Sequence, residues 1–565
     1  MSKNITRLSA RQGIENNLFA QLGNSASEEE GRAPEDLEAL ARKFLLGKAN
    51  IHGARSSYDL LVPDNAGKKV YVCDGAACLC AGARPQLIRE LKRHFQEREI
   101  GTMRCLGRCY ENAAFQYKGR NYSARTPQEI ADIVESGQSA KSSVPFVIQD
   151  TKNRALKTPI LTAQHPGFQE YYASLREAMK RDPRDILREI ETSGLRGRGG
   201  AWYPVAMKWK LARDTNSEHK FIIGNGDEGD PGAYSDRYLL EQRPYAILFG
   251  MMIGAYCIGA KWGILYIRAE YPESVAAMEK AIGELRANNL IGKNIDGRGL
   301  DLDFKILKGQ GSYLCGEETA LIRSIEGQRP EPAIRPPFPA QRGLFDEPTV
   351  VNNVETLATI PFIVENGGNA YRNVGTERSS GTKLVCADGR FNRPGIHEVE
   401  MGTSLSLIVH ELAGGFREPV KALHIGGPLG GLVPISLLDG LTLDFESFSE
   451  HGLSLGHASL LSIPERVSIL EYITHLFSFA TRESCGKCFP CRLGIHRGYE
   501  MFKKTKEERH EEEGYKIDAT LLDDLLHTME TGSLCGYGSG IALPLRNALH
   551  HFKEELVEYI PGLSS

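Results

Sequence analysis

The sequence predicts an α/β protein of several domains, and three observations carry that prediction. Its 565 residues are too many for one hydrophobic core and correspond to about three to five domains of ordinary size. Short apolar runs that read as buried strands alternate with segments of helical period. The cysteines that could hold metal fall in two groups, one near each end of the chain. A formal charge of −4, with no basic stripe interleaved with aromatics, gives no reason to expect nucleic acid as a partner.

Residues 1–31 are polar, acidic toward their end and poor in apolar side chains, which predicts a flexible arm, disordered or draped on a partner. A helical segment follows over 32–65, where Pro34 starts a helix whose Leu37, Leu40, Ala41, Phe44 and Leu45 keep the 3.6 period until Gly47 stops it. Residues 66–137 contain Cys73-Asp-Gly-Ala-Ala-Cys78 and Cys105-Leu-Gly-Arg-Cys109. Lys69-Val-Tyr-Val-Cys73 reads as a strand delivering the first thiolate to its end, and residues 84–95 as an amphipathic helix. Four thiolates in two pairs can hold a [2Fe-2S] rhomb. A zinc knuckle and disulfides are the alternatives; uneven spacing disfavours the first, and disulfides fit a secreted chain better. Cys80 competes with Cys78 for the second position and is read as a buried thiol. Residues 138–160, rich in serine, lysine and proline, read as a linker.

A new domain is expected over 161–375. A helix over 182–193 leads into Gly194-Leu-Arg-Gly197-Arg198-Gly199-Gly200-Ala-Trp-Tyr-Pro204, whose glycines permit close approach of backbone N–H groups to a phosphate or flat ring. Such a segment alone is also compatible with a plain loop. Two neighbours favour a nucleotide. Phe221-Ile-Ile-Gly-Asn225-Gly-Asp227-Glu228-Gly-Asp230 is a strand ending in acids and amides, and Gly309-Gln-Gly-Ser-Tyr313-Leu-Cys-Gly316-Glu317-Glu318 is a glycine turn entering a helix. Residues 246–267 form the longest apolar run, but Lys261 and four glycines make it a buried helix and then a strand, not a membrane span.

Toward the C-terminus stands Cys485-Gly-Lys-Cys488-Phe-Pro-Cys491, with Cys535 in Ser-Leu-Cys-Gly-Tyr-Gly. Three thiolates in step plus a remote fourth suit one [4Fe-4S] cube, with structural zinc as the alternative. Cys257, Cys315 and Cys386 stand singly and read as core thiols. No basic stretch followed by an apolar one opens the chain, so a reducing compartment, the cytoplasm, is expected. Charge-rich residues 503–516 read as a solvated helix or loop.

Together, residues 194–209, 225–237 and 313–320, Pro336-Pro-Phe-Pro339, Asn352-Asn353-Val-Glu-Thr356 and Glu483-Ser-Cys-Gly-Lys-Cys488 resemble the NADH-binding flavoprotein subunit of respiratory complex I and its soluble relatives. Those relatives are the diaphorase subunits of NAD-reducing and electron-bifurcating hydrogenases and of NAD-dependent formate dehydrogenases. The resemblance runs from about residue 160 to 555. It implies a Rossmann-like FMN/NADH domain, a β-grasp-like domain over 376–455 and a helical [4Fe-4S] domain over 456–565. The front module resembles the thioredoxin-like [2Fe-2S] ferredoxin of the companion subunit, and residues 54–61 resemble the end of that subunit's helical head.

Carried over by position, the resemblance places FMN on the loop of Gly197, Arg198, Gly199 and Gly200. It sets Lys208 at the phosphate and Asn225, Asp227 and Glu228 at the ribityl chain or ring. Tyr313, Gly316, Glu317 and Glu318 are also assigned to the cofactor site, which Asn352, Asn353 and Thr356 close. NADH is assigned to Tyr203 and Phe338, with Asp230, Glu318 and Arg335 nearby. Glu318 at the adenosine ribose would repel a 2′-phosphate, which implies NADH over NADPH. The cubane ligands are Cys485, Cys488, Cys491 and Cys535; the front ligands are Cys73, Cys78, Cys105 and Cys109. Two positions depart from the family. Trp202-Tyr203-Pro204-Val205-Ala206 replaces Gly-Phe-Pro-Thr-Gly, so that Trp202 either narrows the nicotinamide pocket or fills space elsewhere, and Asp230 stands where Glu is usual. The implied activity is hydride transfer between NADH and FMN, then single-electron transfer through the clusters. It would run to or from an iron–sulfur subunit and a formate dehydrogenase-like or, second, hydrogenase-like catalytic subunit. No protein acid or base is obligatory. The contrasting expectation is a zinc-stabilised adaptor without flavin.

Overall fold

Three sheets organise the chain. The computed structural model describes residues 13–27, 34–123, 126–136, 146–152, 154–164, 167–295 and 300–563. The first sheet holds β1 (Val70–Cys73), β2 (Ile100–Met103), β3 (Phe115–Tyr117) and β4 (Arg120–Tyr122) in the order β2-β1-β3-β4. β1 runs parallel to β2 and antiparallel to β3. A parallel pair needs a crossover, which helices Ala76–Ala81 and Arg84–Leu91 supply. Leu87 and Leu91 of the latter pack with Ile130 and Ile133 of helix Pro127–Ser136 on Val70, Val72 and Phe115.

β5 (Ile148–Gln149) lies in the segment expected as a linker, yet it pairs in parallel with β12 (Gly395–Glu400). Farther along, the buried Glu398 carboxylate accepts the N–H groups of Ile160, Leu161 and Thr162 at 3.0, 2.9 and 2.8 Å. The second half of the expected linker is therefore docked; residues 137–145 lie outside the described ones.

The second sheet comprises β6 (Phe221–Gly226), β7 (Trp262–Ile267), β8 (Gly292–Ile295), β9 (Leu300–Lys308) and β10 (Thr349–Asn353), in the order β10-β6-β7-β9-β8. β10, β6, β7 and β9 are parallel, and β8 is an antiparallel edge. Parallel sheets bury both faces, so apolar cover is needed twice. One face takes helices Pro244–Ile258 and Val354–Asn366, so close that a Cβ on Gly250 would stand 2.0 Å from the Leu357 carbonyl oxygen. The other face takes helix Glu318–Ile325 and the front of the chain. Ile14, Leu18, Phe19 and Leu22 are buried there, the Phe19 ring lies 5.7 Å from that of Tyr266, and Asn17 Nδ2 donates to the Ile325 carbonyl at 2.7 Å. The expected arm is thus, over residues 13–27, a cover for the sheet; residues 1–12 and 28–33 lie outside the described ones. Helix Pro34–Lys43 adds Leu37, Leu40 and Ala41, with Phe44 just beyond it, but Leu45, at φ 53°, is 70 % exposed because the helical period has ended.

The third sheet joins β11 (Thr382–Ala387), β12, β13 (Val420–Ile425), β14 (Gly431–Pro434) and β15 (Ser459–Pro464) to β5, in the order β14-β13-β15-β11-β12-β5. β15 lies between β13 and β11, so the boundary expected at residue 455 falls after this strand instead. Helices Ile469–Glu483, Phe489–Glu508, Ala519–Gly532, Gly536–Gly540 and Ala542–His551 follow. Among the described residues no helix is long and apolar enough to cross a membrane.

His424 of β13 is buried against helix Ile469–Glu483, with Nδ1 2.7 Å from the Tyr472 hydroxyl, and burial pushes it down to about 4. The unfolded chain then binds a proton that the fold refuses as pH falls from 6.5 toward 4. Over that window His424→Gln is expected to make stability less acid-sensitive by about 1.4 kcal/mol per pH unit. Denaturant titrations of both proteins at several pH values read this difference.

Candidate functional site

Strand order locates the site. β6 leads to β7 on one side while β10 lies on the other, so the C-terminal ends of β6 and β10 form a topological switch point, where open α/β sheets bind ligands. Asn225 and Asn353 stand opposite each other there in register. Asn225 Nδ2 donates to the Gly316 carbonyl at 3.0 Å, tying β6 to the turn Tyr313–Gly316. Asn353 Oδ1 caps helix Val354–Asn366 through the Glu355 N–H at 2.9 Å, and its Nδ2 donates to Asp236 Oδ2 at 2.6 Å. Asn352 turns inward and accepts from the Trp209 indole at 2.8 Å, so it supports the site from beneath.

The glycine loop closes over this point. Gly194, at φ 65°, ends helix Pro183–Ser193, and bonds from Gly197 N to Tyr203 O and from Val205 N to Leu195 O, both 3.0 Å, pin the two limbs together. Gly199 sits so near Asn353 that a Cβ would lie 2.9 Å from the Asn353 Cβ. The Arg198 N–H donates to Thr356 Oγ1 at 2.9 Å, whereas its guanidinium is buried on the Tyr371 hydroxyl and the Ser380 carbonyl, at 2.7 and 2.5 Å, and turns away from the loop. Trp202, at φ 54°, stacks on Phe445 of the third-sheet unit with centroids 4.6 Å apart. Of the two roles open to it, it therefore fills space beside the loop.

Charged groups line the mouth in pairs. Lys208 Nζ contacts Glu318 Oε2 at 2.9 Å, so the groups expected at phosphate and ribose hold each other here. Arg335 bridges Glu317 and Glu318, while Glu317 also caps helix Glu318–Ile325. Tyr203 and Phe338 are each nearly half exposed, as flat rings awaiting a flat ligand would be. Asp230 accepts from the Tyr313 hydroxyl at 2.7 Å and lies against Gly427, where a Cβ would stand 2.3 Å from its carboxyl carbon. Glu228 is buried and accepts the Asp236 and Arg237 N–H groups at 2.9 and 3.1 Å. Asp227, raised by burial, lines a small polar cavity with Arg104, Arg268, Glu270 and Glu483, so its carboxyl faces a junction between units. The close-approach glycine loop, backbone donors, one lysine and two open aromatic faces fit a flavin phosphate and ring.

In the front unit the four thiols form a chain. Cys105 and Cys109 sulfurs lie 3.6 Å apart, and Cys73 shares hydrogen bonds with Cys105 and Cys78. Cys80 is outside it, buried near Tyr472 with its thiol pushed up by burial. Four convergent soft donors fit a [2Fe-2S] group. At the far end Cys488 stands just before helix Phe489–Glu508, and burial raises Cys485, Cys491 and Cys535, each with other thiols of the set adding. That set fits a cubane.

Residues that local spacing does not flag link these places. Tyr313 packs on Tyr537, two residues past Cys535, at 5.8 Å, and its N–H donates to Glu483 Oε2 at 2.8 Å. Arg104, beside Cys105, contacts Asp59, Asp74 and Glu483 at 3.1, 3.0 and 3.5 Å, joining the front helical segment, the front unit and the C-terminal helices.

Residues 190–362 match the Nuo51 FMN-binding domain, and residues 471–559 match the NADH-ubiquinone oxidoreductase-F iron-sulfur binding region. The chain is 39 % identical over 392 residues to an NADH-quinone oxidoreductase subunit of Rhizobium meliloti (strain 1021), covering 69 % of this chain and 92 % of that protein. It is 31 % identical over 586 residues to the NAD-reducing hydrogenase HoxS subunit alpha of Cupriavidus necator, covering 98 % and 94 %. A crystal structure of an NAD+-reducing [NiFe]-hydrogenase in the air-oxidized state superposes with a TM-score of 0.83 at 28 % identity, over 96 % of this chain and 93 % of that one.

Proposed function

The chain belongs to the family of NADH-binding flavoprotein subunits of respiratory complex I and its soluble relatives, and from that premise we propose that it is the diaphorase subunit of a cytoplasmic NAD-linked hydrogenase. The observation that carries the choice is coverage. The complex I-type relative accounts for 69 % of the chain, whereas the hydrogenase alpha subunit accounts for 98 %, front unit included. This reverses the order of partners expected from sequence, where formate dehydrogenase stood first. A flavin-free zinc adaptor finds no support, since Lys208, Asn225, Glu317 and Asn353 all stand at the switch point.

FMN held here would supply hydride acceptance from NADH and one-electron chemistry toward the [4Fe-4S] and [2Fe-2S] groups. The residues do the rest. The Gly197–Gly200 backbone and Lys208 would hold the phosphate, and Glu318 would face the ribose of NADH, with Arg335 held nearby by Glu317. Tyr203 and Phe338 would stack on the rings, excluding water. Cys485, Cys488, Cys491 and Cys535 would hold the cubane, and Tyr313 against Tyr537 sets the packing between the two sites. The strand order β2-β1-β3-β4 and the chain of four thiols support a thioredoxin-like [2Fe-2S] reading of the front unit.

Anaerobically purified protein is expected to hold one FMN and about six irons per chain, with flavin and cluster absorption bleaching together on NADH. Flavin absent and zinc in place of iron would sink the reading. Nickel in the co-purified complex supports the hydrogenase partner, and molybdenum or tungsten would return it to formate dehydrogenase. Glu318→Gln is expected to narrow the NADH-over-NADPH preference about tenfold in kcat/KM; an unchanged ratio would remove Glu318 from the ribose.

A further inference from the structure

His457 is one residue the flavin reading leaves unused, although it penetrates the site from the third-sheet unit. Its backbone is turned inward between Gly456 and Ala458, both in the left-handed region at φ 49° and 61°. Gly456 is pressed on the turn after β13, where a Cβ would meet the Gly426 carbonyl oxygen at 2.2 Å. The ring is 5 % exposed. Nδ1 lies 3.8 Å from Glu228 Oε1 and Nε2 3.5 Å from Asp236 Oδ2, and neither nitrogen has a closer polar partner among the described residues.

The surrounding charges require a cation there. Asp230 is a third acid close enough to feel His457. Lys383 is taken by Glu355, Arg237 by Glu241 and the Gly107 carbonyl, and Arg268 by Glu270. Tyr271 and Cys386 also face Glu228. Burial alone would lower His457, but Asp236 and then Glu228 outweigh it and Lys383, lifting the ring to about 9. Glu228 itself is lifted by burial and Asp236 to about 7, against His457. The three residues could also be read as a metal site. One ligand atom from each lies within 4.8 Å of the others, but the closest contacts, at 3.8 and 3.5 Å, use a different ring nitrogen for each acid, which is how an imidazolium bridges two carboxylates.

We infer that His457 is a positioning residue of the flavin site, an imidazolium that holds Glu228 and Asp236 in place beneath Asn353 and offsets their charge so that anionic FMN binds. This rests on the diaphorase reading. Above the ring's titration the two carboxylates stand uncompensated and repel the ligand.

The test is FMN binding to the flavin-depleted full-length chain, followed by flavin fluorescence from pH 6 to 10. The wild-type dissociation constant is expected to rise about tenfold through pH 9. His457→Gln is expected to bind about tenfold more weakly than wild type at pH 7 and without that rise, and His457→Lys to recover part of the loss. Unfolding midpoints give a flavin-independent reading. A raised histidine stabilises below its unfolded value of 6.5 and loses this as pH climbs through 9, so the wild type should weaken over that window more than His457→Gln. Wild-type affinity that stays flat through pH 9 overturns the proposal even if the variants fail to fold. So does a stoichiometric divalent metal that His457→Gln loses. No FMN binding in any protein, with the stability difference intact, overturns the flavin role and the diaphorase reading while the ion pair stands.

Discussion

Lys383→Met is expected to lower the unfolding free energy by about 3–5 kcal/mol, read by denaturant titration. Lys383 of β11 and Glu355 at the start of helix Val354–Asn366 are both essentially without solvent exposure and pair directly across the boundary between the second and third sheets. Glu355 Oε1 also accepts the Leu384 N–H at 3.2 Å. Removing the ammonium strands a carboxylate in a place water cannot reach, and the loss is that of an uncompensated charge, far above the worth of a surface pair. The double variant Lys383→Met/Glu355→Leu should recover most of the loss, because exchanging a buried pair for apolar groups of similar volume is close to neutral. A single variant as stable as the parent would mean that water reaches Glu355. The effect extends to the site: Glu355 lies between Asn353 and Thr356, so a shifted helix start should also weaken FMN retention.

The parts of this architecture that the sequence made legible are those written in short-range spacing. Cys485, Cys488 and Cys491 declare a metal group because their ligands recur on one stretch of chain, and Gly194–Gly200 declares a close approach because glycine serves that need locally. What escaped depends on surfaces far along the chain. Ile14, Leu18, Phe19 and Leu22 look too sparse to pack until Tyr266 and Ile325 are placed opposite them. β5 is two residues long and gains meaning only from β12. Arg104, His457 and the Lys383–Glu355 pair are ionic contacts between units, and no periodicity announces them. Trp202 was ambiguous for the same reason, since Phe445, the ring that receives it, is remote in sequence.

Cys105→Ser is expected to remove the front iron, about two of six per chain, while NADH still bleaches the flavin. Cys105 is one of the two inner members of the chain of four thiols, hydrogen-bonded on one side to Cys109 and on the other to Cys73, so its loss breaks the ligand set between its ends. Cys80→Ser, by contrast, should lose no iron, because that thiol is buried near Tyr472 outside the set. The structural consequence follows from size. The front sheet has strands of three or four residues over a small core, and the proposed [2Fe-2S] group would stand in for the apolar burial it lacks. Limited proteolysis should therefore cut Cys105→Ser within residues 66–137 and spare the rest. The unit stays attached through Arg104 to Glu483 and through Asn121 Nδ2 to the Glu270 carbonyl at 2.7 Å. Six irons retained in Cys105→Ser would overturn the ligand assignment. Flavin bleaching lost together with the front iron would place the front unit inside the NADH reaction, and bleaching that persists makes it a branch, because the Tyr313–Tyr537 contact toward the rear cysteines is untouched by the substitution.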